Sequence, residues 1–410
     1  MFLPDKNSPD AAFIDQIRTA FPCEPEVDRV LTRKMVRRSG PAYAPISLAT
    51  LVECATAFIA SQIEGPFTLS DASWLSGGAS KLQMAFILAW DRPGTGQERT
   101  KLVLRMEPAE SVNETSRVRE SQLLGEFQGV VPVPEIFWTD ADGTYFPYPA
   151  LICGFVDGVS KPTSSTSVVT GVGTHFTAEW RDRLGPQFVG CLAKIHSHPI
   201  DAARLTAFEI PEPGDHSCIL ALNMWERVWE EDADEDVPLM RLAAAWLRDN
   251  IPPCAKPVIL HSDYRVGNFL FRESDAQISA ILDWEGGRIG DPHHDLAWAS
   301  ARGFGHFDES GENFLVGGLI TAAAVVAGGI DTGWTFYVPY STVFSNTFVT
   351  LAVLGVFVSG FSTIATGINF IATVHYLRAP GMTWFRLPLF VWSMYTTSLI
   401  FVLATPVLAL

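Results

Sequence analysis

The sequence predicts an α+β fold in two lobes, followed by an all-α transmembrane helical segment, and three observations support this prediction. Between residues 71 and 158, runs of alternating apolar residues are separated by small-residue turns, as in a strand-rich lobe. Between residues 180 and 250, apolar residues recur at helical spacing. After residue 310, charged side chains nearly disappear, and the last hundred residues hold only Glu312, Asp331, Arg378 and Arg386.

The chain divides into four predicted parts. Residues 1–70 form an N-terminal helical extension, residues 71–158 a small lobe, residues 159–310 a helical lobe, and residues 311–410 a hydrophobic segment of two or three transmembrane helices. The stretch Ser160–Thr174 is rich in Ser, Thr and Gly, which favours a flexible crossover between the two lobes.

The N-terminal extension contains one clear helix. Apolar residues recur at helical spacing from Ile46 to Ile63, and Ser47 is a candidate cap. Residues 1–45 show no sustained period. The basic run Arg33–Arg38 is interpreted as a solvated face rather than a phosphate-contacting patch, since such runs are common on surfaces.

Composition excludes several classes of function. The net charge is −16, with 45 acidic against 29 basic residues, so a phosphate backbone would be repelled and nucleic acid is not an expected partner. The six cysteines are scattered singly, which indicates neither a zinc site nor a disulfide framework. The charged part of the chain is therefore expected to be cytosolic.

The small lobe is predicted to contain an antiparallel meander. The small residues of Ser76–Ser80 separate two strand-like runs, and a turn over Arg92–Gly96 leads into a third strand, Lys101–Met106. A helix over Ser116–Phe127 and two further strands, near 133–138 and 149–155, complete this lobe.

The chemistry-bearing residues lie between positions 258 and 298. Val258–Leu260 and Ile278–Leu282 are predicted to be two strands of a hairpin, which would bring four polar side chains to one end: His261, Asp263, Asn268 and Asp283. Carboxylate and amide oxygens suit Mg²⁺, and one acidic group would remain to orient a hydroxyl. This set favours phosphoryl transfer, although Asp263 and Asn268 alone are also typical turn residues.

Three ordered motifs resemble those of the aminoglycoside phosphotransferase and choline-kinase-like family, which shares the bilobal protein-kinase fold. They are His261-x-Asp263-x-x-x-x-Asn268, then Ile281-Leu282-Asp283, then the segment from Gly290 to Trp298 (GDPHHDLAW). The resemblance covers residues 70–307 approximately and stops near Phe307, whereas the family continues with further helices, so it implies a truncated C-lobe.

The resemblance implies a role for each residue of this set. Asp263 would be the catalytic base and His261 would brace its loop, while Asn268 and Asp283 would hold Mg²⁺. Asp291 and Asp295 would be structural.

The resemblance also implies an ATP site in the small lobe. Gly77, Gly78 and Ser80 would form the turn that covers the phosphates, because small residues let backbone N–H groups approach a nucleotide. Arg105 occupies the place of the strand lysine that contacts the α- and β-phosphates in protein kinases. Glu120 would be its ion-pair partner, with Glu114 and Glu126 as alternatives.

The apolar tail offers three candidate membrane spans, near 314–330, 347–373 and 388–410. The only basic residues here, Arg378 and Arg386, flank the loop between the last two candidates, which favours a cytoplasmic position for that loop and for residues 1–310. Residues 315–410, including the stretch from Arg378 to Trp392, resemble an internal fragment of haem-copper cytochrome c oxidase subunit I. His375 has no partner histidine in the tail, so the sequence predicts neither haem nor copper here.

The leading hypothesis is an ATP- and Mg²⁺-dependent phosphotransferase that acts on a small-molecule hydroxyl and is tethered to a membrane by its tail. A second hypothesis is a membrane fragment of the oxidase type with a kinase-like passenger. A third is an inactive nucleotide-binding module. The acceptor remains open among aminoglycosides, sugars, choline-like alcohols and hydroxyacyl groups.

Overall fold

In the computed structural model, the described residues are 5–41, 44–75, 81–108, 114–163, 176–233 and 237–300. Residues 1–174 and 182–299 belong to one unit, and residues 175–181 group with residues 300–410 in a second. The predicted phosphate-covering turn (Gly77, Gly78 and Ser80) and the whole hydrophobic tail lie outside the described residues, so the tether and its orientation stay predictions. Within the described ranges, none of the helices combines the length and apolar character that crossing a bilayer requires.

Three helices come before the first strand: α1 (Ala11–Ala20), α2 (Pro25–Arg38) and α3 (Leu48–Gln62). The prediction of α3 and its cap is confirmed, since Ser47 Oγ accepts a hydrogen bond from the Thr50 backbone N–H at 3.1 Å. Residues 1–45, in contrast, hold two helices that the apolar pattern did not reveal. Half of the residues of α2 are charged, which hides its period.

The basic run at the end of α2 is not a solvated face, so that interpretation was wrong. Lys34 and Met35 are buried. Lys34 and Arg38 each lie 2.6 Å from a carboxylate oxygen of Asp232, and Arg37 lies 2.8 Å from Glu114. The positive charges of this run are therefore neutralised by acidic residues from elsewhere in the same chain.

The small lobe is a five-stranded antiparallel sheet in the order β1-β2-β3-β5-β4. The predicted meander is confirmed, and the helix α4 (Arg117–Glu126), capped by Ser116, follows its third strand. The strands are β1 (Thr68–Trp74), β2 (Leu82–Arg92), β3 (Gly96–Met106), β4 (Ile136–Asp140) and β5 (Ala150–Gly154).

The core of this lobe lies between α3 and one face of the sheet. Leu51, Phe58 and Ile59 of α3 pack into the same buried cluster as Phe86 of β2 and Leu104 of β3. Each of these side chains is at most 3% exposed. Burial of an aliphatic or aromatic side chain contributes about 2 kcal/mol, so α3 is an integral part of the lobe.

The helical part contains α5 (Ala178–Ser197), α6 (His216–Asp232) and α7 (Pro238–Asp249), as the apolar spacing predicts. The helix α7 has no buried residue, and its large apolar side chains Leu239, Leu242 and Trp246 are each more than 60% exposed. A short helix, α8 (His293–Ser300), ends the described chain.

The strands around the polar set pair differently from the prediction. β6 (Val258–Leu260) pairs with β9 (Arg288–Gly290), and β7 (Phe269–Arg272) pairs with β8 (Gln277–Ile281). The predicted hairpin between β6 and β8 was wrong, because the intervening run Phe269–Arg272 is itself a strand and reaches β8 through a short turn. The four polar residues are nevertheless brought to one end of the two small sheets.

Candidate functional site

The loop between β6 and β7 carries His261, Asp263 and Asn268. The loop begins directly after the buried strand β6, and Ser262 takes a left-handed conformation with φ of 68°. His261 is fully buried, and its Nε2 lies 2.7 Å from the Leu282 carbonyl oxygen. The His261 ring therefore connects this loop to the residue that comes before Asp283, which is a bracing contact.

Asp263 and Asn268 lie in direct contact. The Asn268 Nδ2 donates to Asp263 Oδ2 at 2.5 Å and to the Asp263 carbonyl oxygen at 3.0 Å. Asp263 Oδ1 accepts from Arg265 Nε at 2.9 Å and from Trp298 Nε1 at 2.6 Å. A carboxylate offers about four acceptor positions, so these three side-chain bonds fix its orientation and leave one for a ligand.

Asp295 holds the start of this loop from α8. It is fully buried, and its two carboxylate oxygens accept the backbone N–H groups of His261 at 2.9 Å and Ser262 at 2.7 Å. His196 Nε2 lies 3.0 Å from Asp295 Oδ2. Although burial opposes it, the contacts with His196 and His261 lower the pKa of Asp295. Asp295 is thus a structural anchor for the loop, whereas Asp291, at the start of α8, bonds His293 instead.

Asp283 is the second residue after the end of β8 and is held in the left-handed conformation, with φ of 61°. The Leu282 backbone N–H donates to the Asn268 backbone carbonyl oxygen at 2.7 Å, so the residue before β7 lies next to the residue after β8. The side chain of Asp283 is 37% exposed, and Oδ1 accepts from Arg105 Nη2 at 2.8 Å.

Arg105 connects the sheet, α4 and the Asp283 turn. Its guanidinium Nη1 lies 3.0 Å from Glu120 Oε1 of α4, and its Nη2 lies 3.6 Å from Glu285 Oε2. Burial disfavours the charged guanidinium, but Glu120, Asp283 and Glu285 outweigh it and raise the pKa of Arg105. The ion pair predicted between Arg105 and Glu120 is confirmed.

The two alternative partners of Arg105 bind other residues. Glu114 lies 2.9 Å from Arg33 and 2.8 Å from Arg37, both of α2. Glu126 lies 2.7 Å from His198 and 3.1 Å from Arg204. Neither of these glutamates reaches Arg105.

A buried ion network surrounds this pair, and the sequence analysis missed it. Lys81 lies 2.9 Å from Glu107 and 3.5 Å from Glu285, with Lys81 and Glu107 completely shielded from solvent. Arg117 lies 3.0 Å from Glu107 and 3.3 Å from Glu285, and it also pairs with Glu120. The register of β2 and β3 pairs Leu82 with Met106, so the next positions outward, 81 and 107, face each other. A prediction of this strand register would have placed Lys81 beside Glu107.

The charges of the network fit a bound divalent cation. Among the described contacts of the network, three cations (Lys81, Arg105 and Arg117) face four carboxylates (Glu107, Glu120, Asp283 and Glu285). Asp283 is the most exposed of these carboxylates. Mg²⁺ commonly uses one or two protein oxygens, with waters and substrate phosphates completing its shell, and Asp283 and Asn268 carry side-chain oxygens of this kind. In the described ranges, no group of three or more His, Cys, Asp or Glu side chains is arranged to hold a metal ion.

The family of the chain follows from its sequence match. Residues 83–327, more than half of the chain, match the model of the phosphotransferase enzyme family. The chain therefore belongs to this family and has its mixed α+β, kinase-like fold. The match runs past Phe307, where the resemblance was expected to stop, and ends at residue 327.

The tail matches a different protein. Residues 293–410 match the model of cytochrome C and quinol oxidase polypeptide I, which confirms the resemblance predicted for the tail. Cytochrome c oxidase subunit 1 of Thermostichus vulcanus is 40% identical over 92 residues, which are 22% of this chain and 17% of that protein.

Two further proteins are similar to this chain. Acyl-CoA dehydrogenase family member 11 of Gallus gallus is 33% identical over 110 residues, which are 27% of this chain and 14% of that protein. The chain thus spans less than a fifth of the length of these curated relatives. The solved structure of an ethanolamine kinase from Plasmodium vivax gives a TM-score of 0.43 at 11% identity, covering 92% of this chain and 97% of that one.

Proposed function

We propose that this protein is an ATP- and Mg²⁺-dependent phosphotransferase that transfers the γ-phosphoryl group to a hydroxyl of a small molecule. The observation that carries the proposal is the Asp263–Asn268 contact, because it joins a fixed carboxylate to an amide in the loop next to the Asp283 turn. Membership in the phosphotransferase family supports it independently.

Asp263 is assigned as the residue that orients the acceptor hydroxyl. Its Oδ1 and Oδ2 are held by Arg265, Trp298 and Asn268, so the carboxylate is oriented before a substrate arrives. The fourth acceptor position would take the hydroxyl hydrogen and align the oxygen for attack on the γ-phosphorus. His261 fixes the loop and does not touch the reacting atoms.

Asn268 and Asp283 are assigned to Mg²⁺. The side-chain Nδ2 of Asn268 is used on Asp263, which leaves its side-chain Oδ1 for a metal. When bound, the ion would neutralise charge on the nucleotide phosphates. Arg105 is assigned to the phosphates as a fixed positive charge, with Glu120 holding it in place. Gly77, Gly78 and Ser80 remain the proposed phosphate-covering turn.

The test is the variant Asp263→Ala in the full-length protein, compared with Asp275→Ala. Asp275 is a carboxylate in the turn between β7 and β8 that pairs with Arg272 on the surface. We expect Asp263→Ala to abolish ATP-dependent phosphorylation while nucleotide binding persists, and Asp275→Ala to leave both unchanged. The acceptor panel contains an aminoglycoside, a sugar, ethanolamine, choline and a hydroxyacyl compound, with product detected by mass spectrometry.

Two outcomes would contradict the proposal. Unchanged phosphorylation by Asp263→Ala would remove Asp263 from the chemistry. Tight nucleotide binding by the wild-type protein, with no phosphate transfer to any acceptor and no ATP hydrolysis, would favour an inactive nucleotide-binding module.

A further inference from the structure

The helix α2 lies in contact with the segment that leads into α4. The carboxylate of Glu114, three residues before α4 begins, is completely shielded from solvent. It forms ion pairs with Arg33 at 2.9 Å and with Arg37 at 2.8 Å. Both arginines remain about one-fifth to one-quarter exposed. Glu114 is therefore neutralised by α2 and by no other element among the described contacts.

The first turn of α4 is also held by α2 and the residue before it. Ser116, which caps α4 by accepting the Arg119 backbone N–H at 3.3 Å, donates its hydroxyl hydrogen to Glu26 of α2. Arg119 lies 3.3 Å from Glu24, the residue before α2. Ser116 and Arg119, at the start of α4, thus find partners on the N-terminal extension.

The opposite side of α2 is fixed to α6. Asp232 of α6 forms ion pairs with Lys34 and Arg38 of α2, each at 2.6 Å. Arg227 of α6 lies 2.5 Å from Asp28 of α2. Arg227 is fully buried and Asp28 is 24% exposed, so this partly shielded pair helps to orient α2. The helix α2 therefore joins α6 of the helical part to α4 of the small lobe.

We propose that α2 positions Glu120. Glu120 lies on α4, one helical turn from the Ser116 cap, and it is the residue that pairs with Arg105. A shift of α4 away from the sheet would break this pair and would leave Arg105 to turn fully toward Asp283 and Glu285. By binding Glu114 and Ser116, α2 keeps α4 against the sheet and so keeps Arg105 in place for a nucleotide. This inference rests on the proposed function, because it assigns Arg105 to the phosphates.

The residues concerned are positioning residues, and two matched variants isolate their effect. Glu114→Gln removes the carboxylate that two cations of α2 share on the α4 side. Asp232→Asn removes the carboxylate that two cations of α2 share on the α6 side. Both variants therefore weaken the same helix by two ion pairs, but only the first acts on α4.

The measurements are the affinity for a fluorescent ATP analogue with Mg²⁺ and the hydrogen exchange of backbone amides in residues 117–126, both on the full-length protein. We expect Glu114→Gln to weaken nucleotide binding by about 3- to 30-fold, the range of coupling between distant sites, and to speed exchange in α4. We expect Asp232→Asn to change both by less than about 2-fold. Glu114→Asp, which keeps the charge, should recover much of the affinity.

The outcomes separate this inference from the proposed function. Equal changes in the two variants, or no change in Glu114→Gln, would overturn the positioning role of α2. A wild-type protein that binds no nucleotide would instead overturn the proposed function. In that case the exchange rates of α4 would still show whether α2 holds that helix.

Discussion

Nη2 of Arg105 lies 2.8 Å from Oδ1 of Asp283, so the cation assigned to the nucleotide phosphates is bonded to the carboxylate assigned to the metal. A Mg²⁺ ion on Asp283 would compete with Arg105 for this oxygen. Arg105 keeps Glu120 on its other nitrogen, so it would stay anchored while Nη2 turns to the phosphates. Metal binding and phosphate binding are therefore expected to support each other.

The first prediction concerns Asp283→Asn. We expect this change to weaken binding of Mg-ATP by about 10- to 100-fold, because a charged ligand of the metal becomes a neutral amide. Binding of ATP in the presence of a chelator should change little. Isothermal titration calorimetry with and without Mg²⁺ checks both statements. Asp275→Asn on the neighbouring turn is the control, and equal Mg-ATP affinity for the two variants would contradict the assignment.

The second prediction concerns the buried pair of Lys81 and Glu107. Lys81→Met should lower the free energy of unfolding by about 3 kcal/mol, because it leaves a shielded carboxylate without one of its cations. Denaturation in urea measures this difference. Arg99→Met is the control, since Arg99 is 67% exposed and lies 3.6 Å from the equally exposed Asp71, so its loss should cost less than about 1 kcal/mol. A similar cost for both changes would show that the buried network contributes no more than a surface pair.

The third prediction concerns Gly287, which comes after the Asp283 turn and faces α4. A Cβ at this position would lie 2.2 Å from Leu123 Cδ1, 3.1 Å from the Trp284 carbonyl oxygen and 3.2 Å from the Leu260 carbonyl oxygen. Gly287→Ala should therefore lower the free energy of unfolding by about 1–3 kcal/mol, as overpacking does.

The control for this substitution is Gly190→Ala. Among the described residues outside its own helix turn, a Cβ on Gly190, inside α5, would meet no atom within 4 Å. Alanine there should stabilise the helix by about 0.5–1 kcal/mol, because glycine is the poorer helix former. Thermal unfolding of both variants measures the two effects, and a stabilised Gly287→Ala protein would show that the space beside Leu123 is larger than described.

The fourth prediction concerns the pH dependence of stability through Asp28. The hydrogen bond from Arg18, opposed by burial and helped by Arg227, lowers the pKa of Asp28 to about 2. Because the pKa is lower in the folded than in the unfolded chain, the stabilisation is complete above about pH 5 and is lost as the pH falls through about 4 to 2.

The variant Asp28→Asn should lower the free energy of unfolding at pH 7 by about 2 kcal/mol. The difference from the wild type should shrink progressively below about pH 4, as the wild-type carboxyl becomes protonated. Urea unfolding at several pH values between 2.5 and 7 measures the trend. Asp15→Asn, a change of an exposed carboxylate that also pairs with Arg18, is the control. A difference that stays constant with pH would contradict the role of this carboxylate.

Much of the candidate site could be predicted from local spacing. Asp263 and Asn268 lie five residues apart in one loop, so their contact depends on a short piece of chain. The pair of Arg105 and Glu120 was predicted from the family resemblance rather than from spacing, and the structure contains this pair. The partner of β6 was predicted wrongly, since sequence alone gave no reason to prefer β9 over β8.

Long-range charge pairing could not be predicted from the sequence. The basic run of α2 was interpreted as a solvated face because such runs are common on surfaces, whereas its partners Glu114 and Asp232 are distant in sequence. Trp298 was part of a recognised segment, but its bond to Asp263 depends on how α8 packs. Such contacts depend on the complete fold rather than on any single element.

The packing of α3 on the sheet has a practical consequence for recombinant expression of the residues that match the family alone. The family match begins at residue 83, inside β2, whereas β1 and the helix that contributes Leu51 and Phe58 precede it. A shortened protein cut at that boundary would lose the neighbour of one edge of β2 and would expose one side of the sheet to water. Such a fragment is expected to aggregate, so the residues before position 83 belong with the matched domain in any recombinant form.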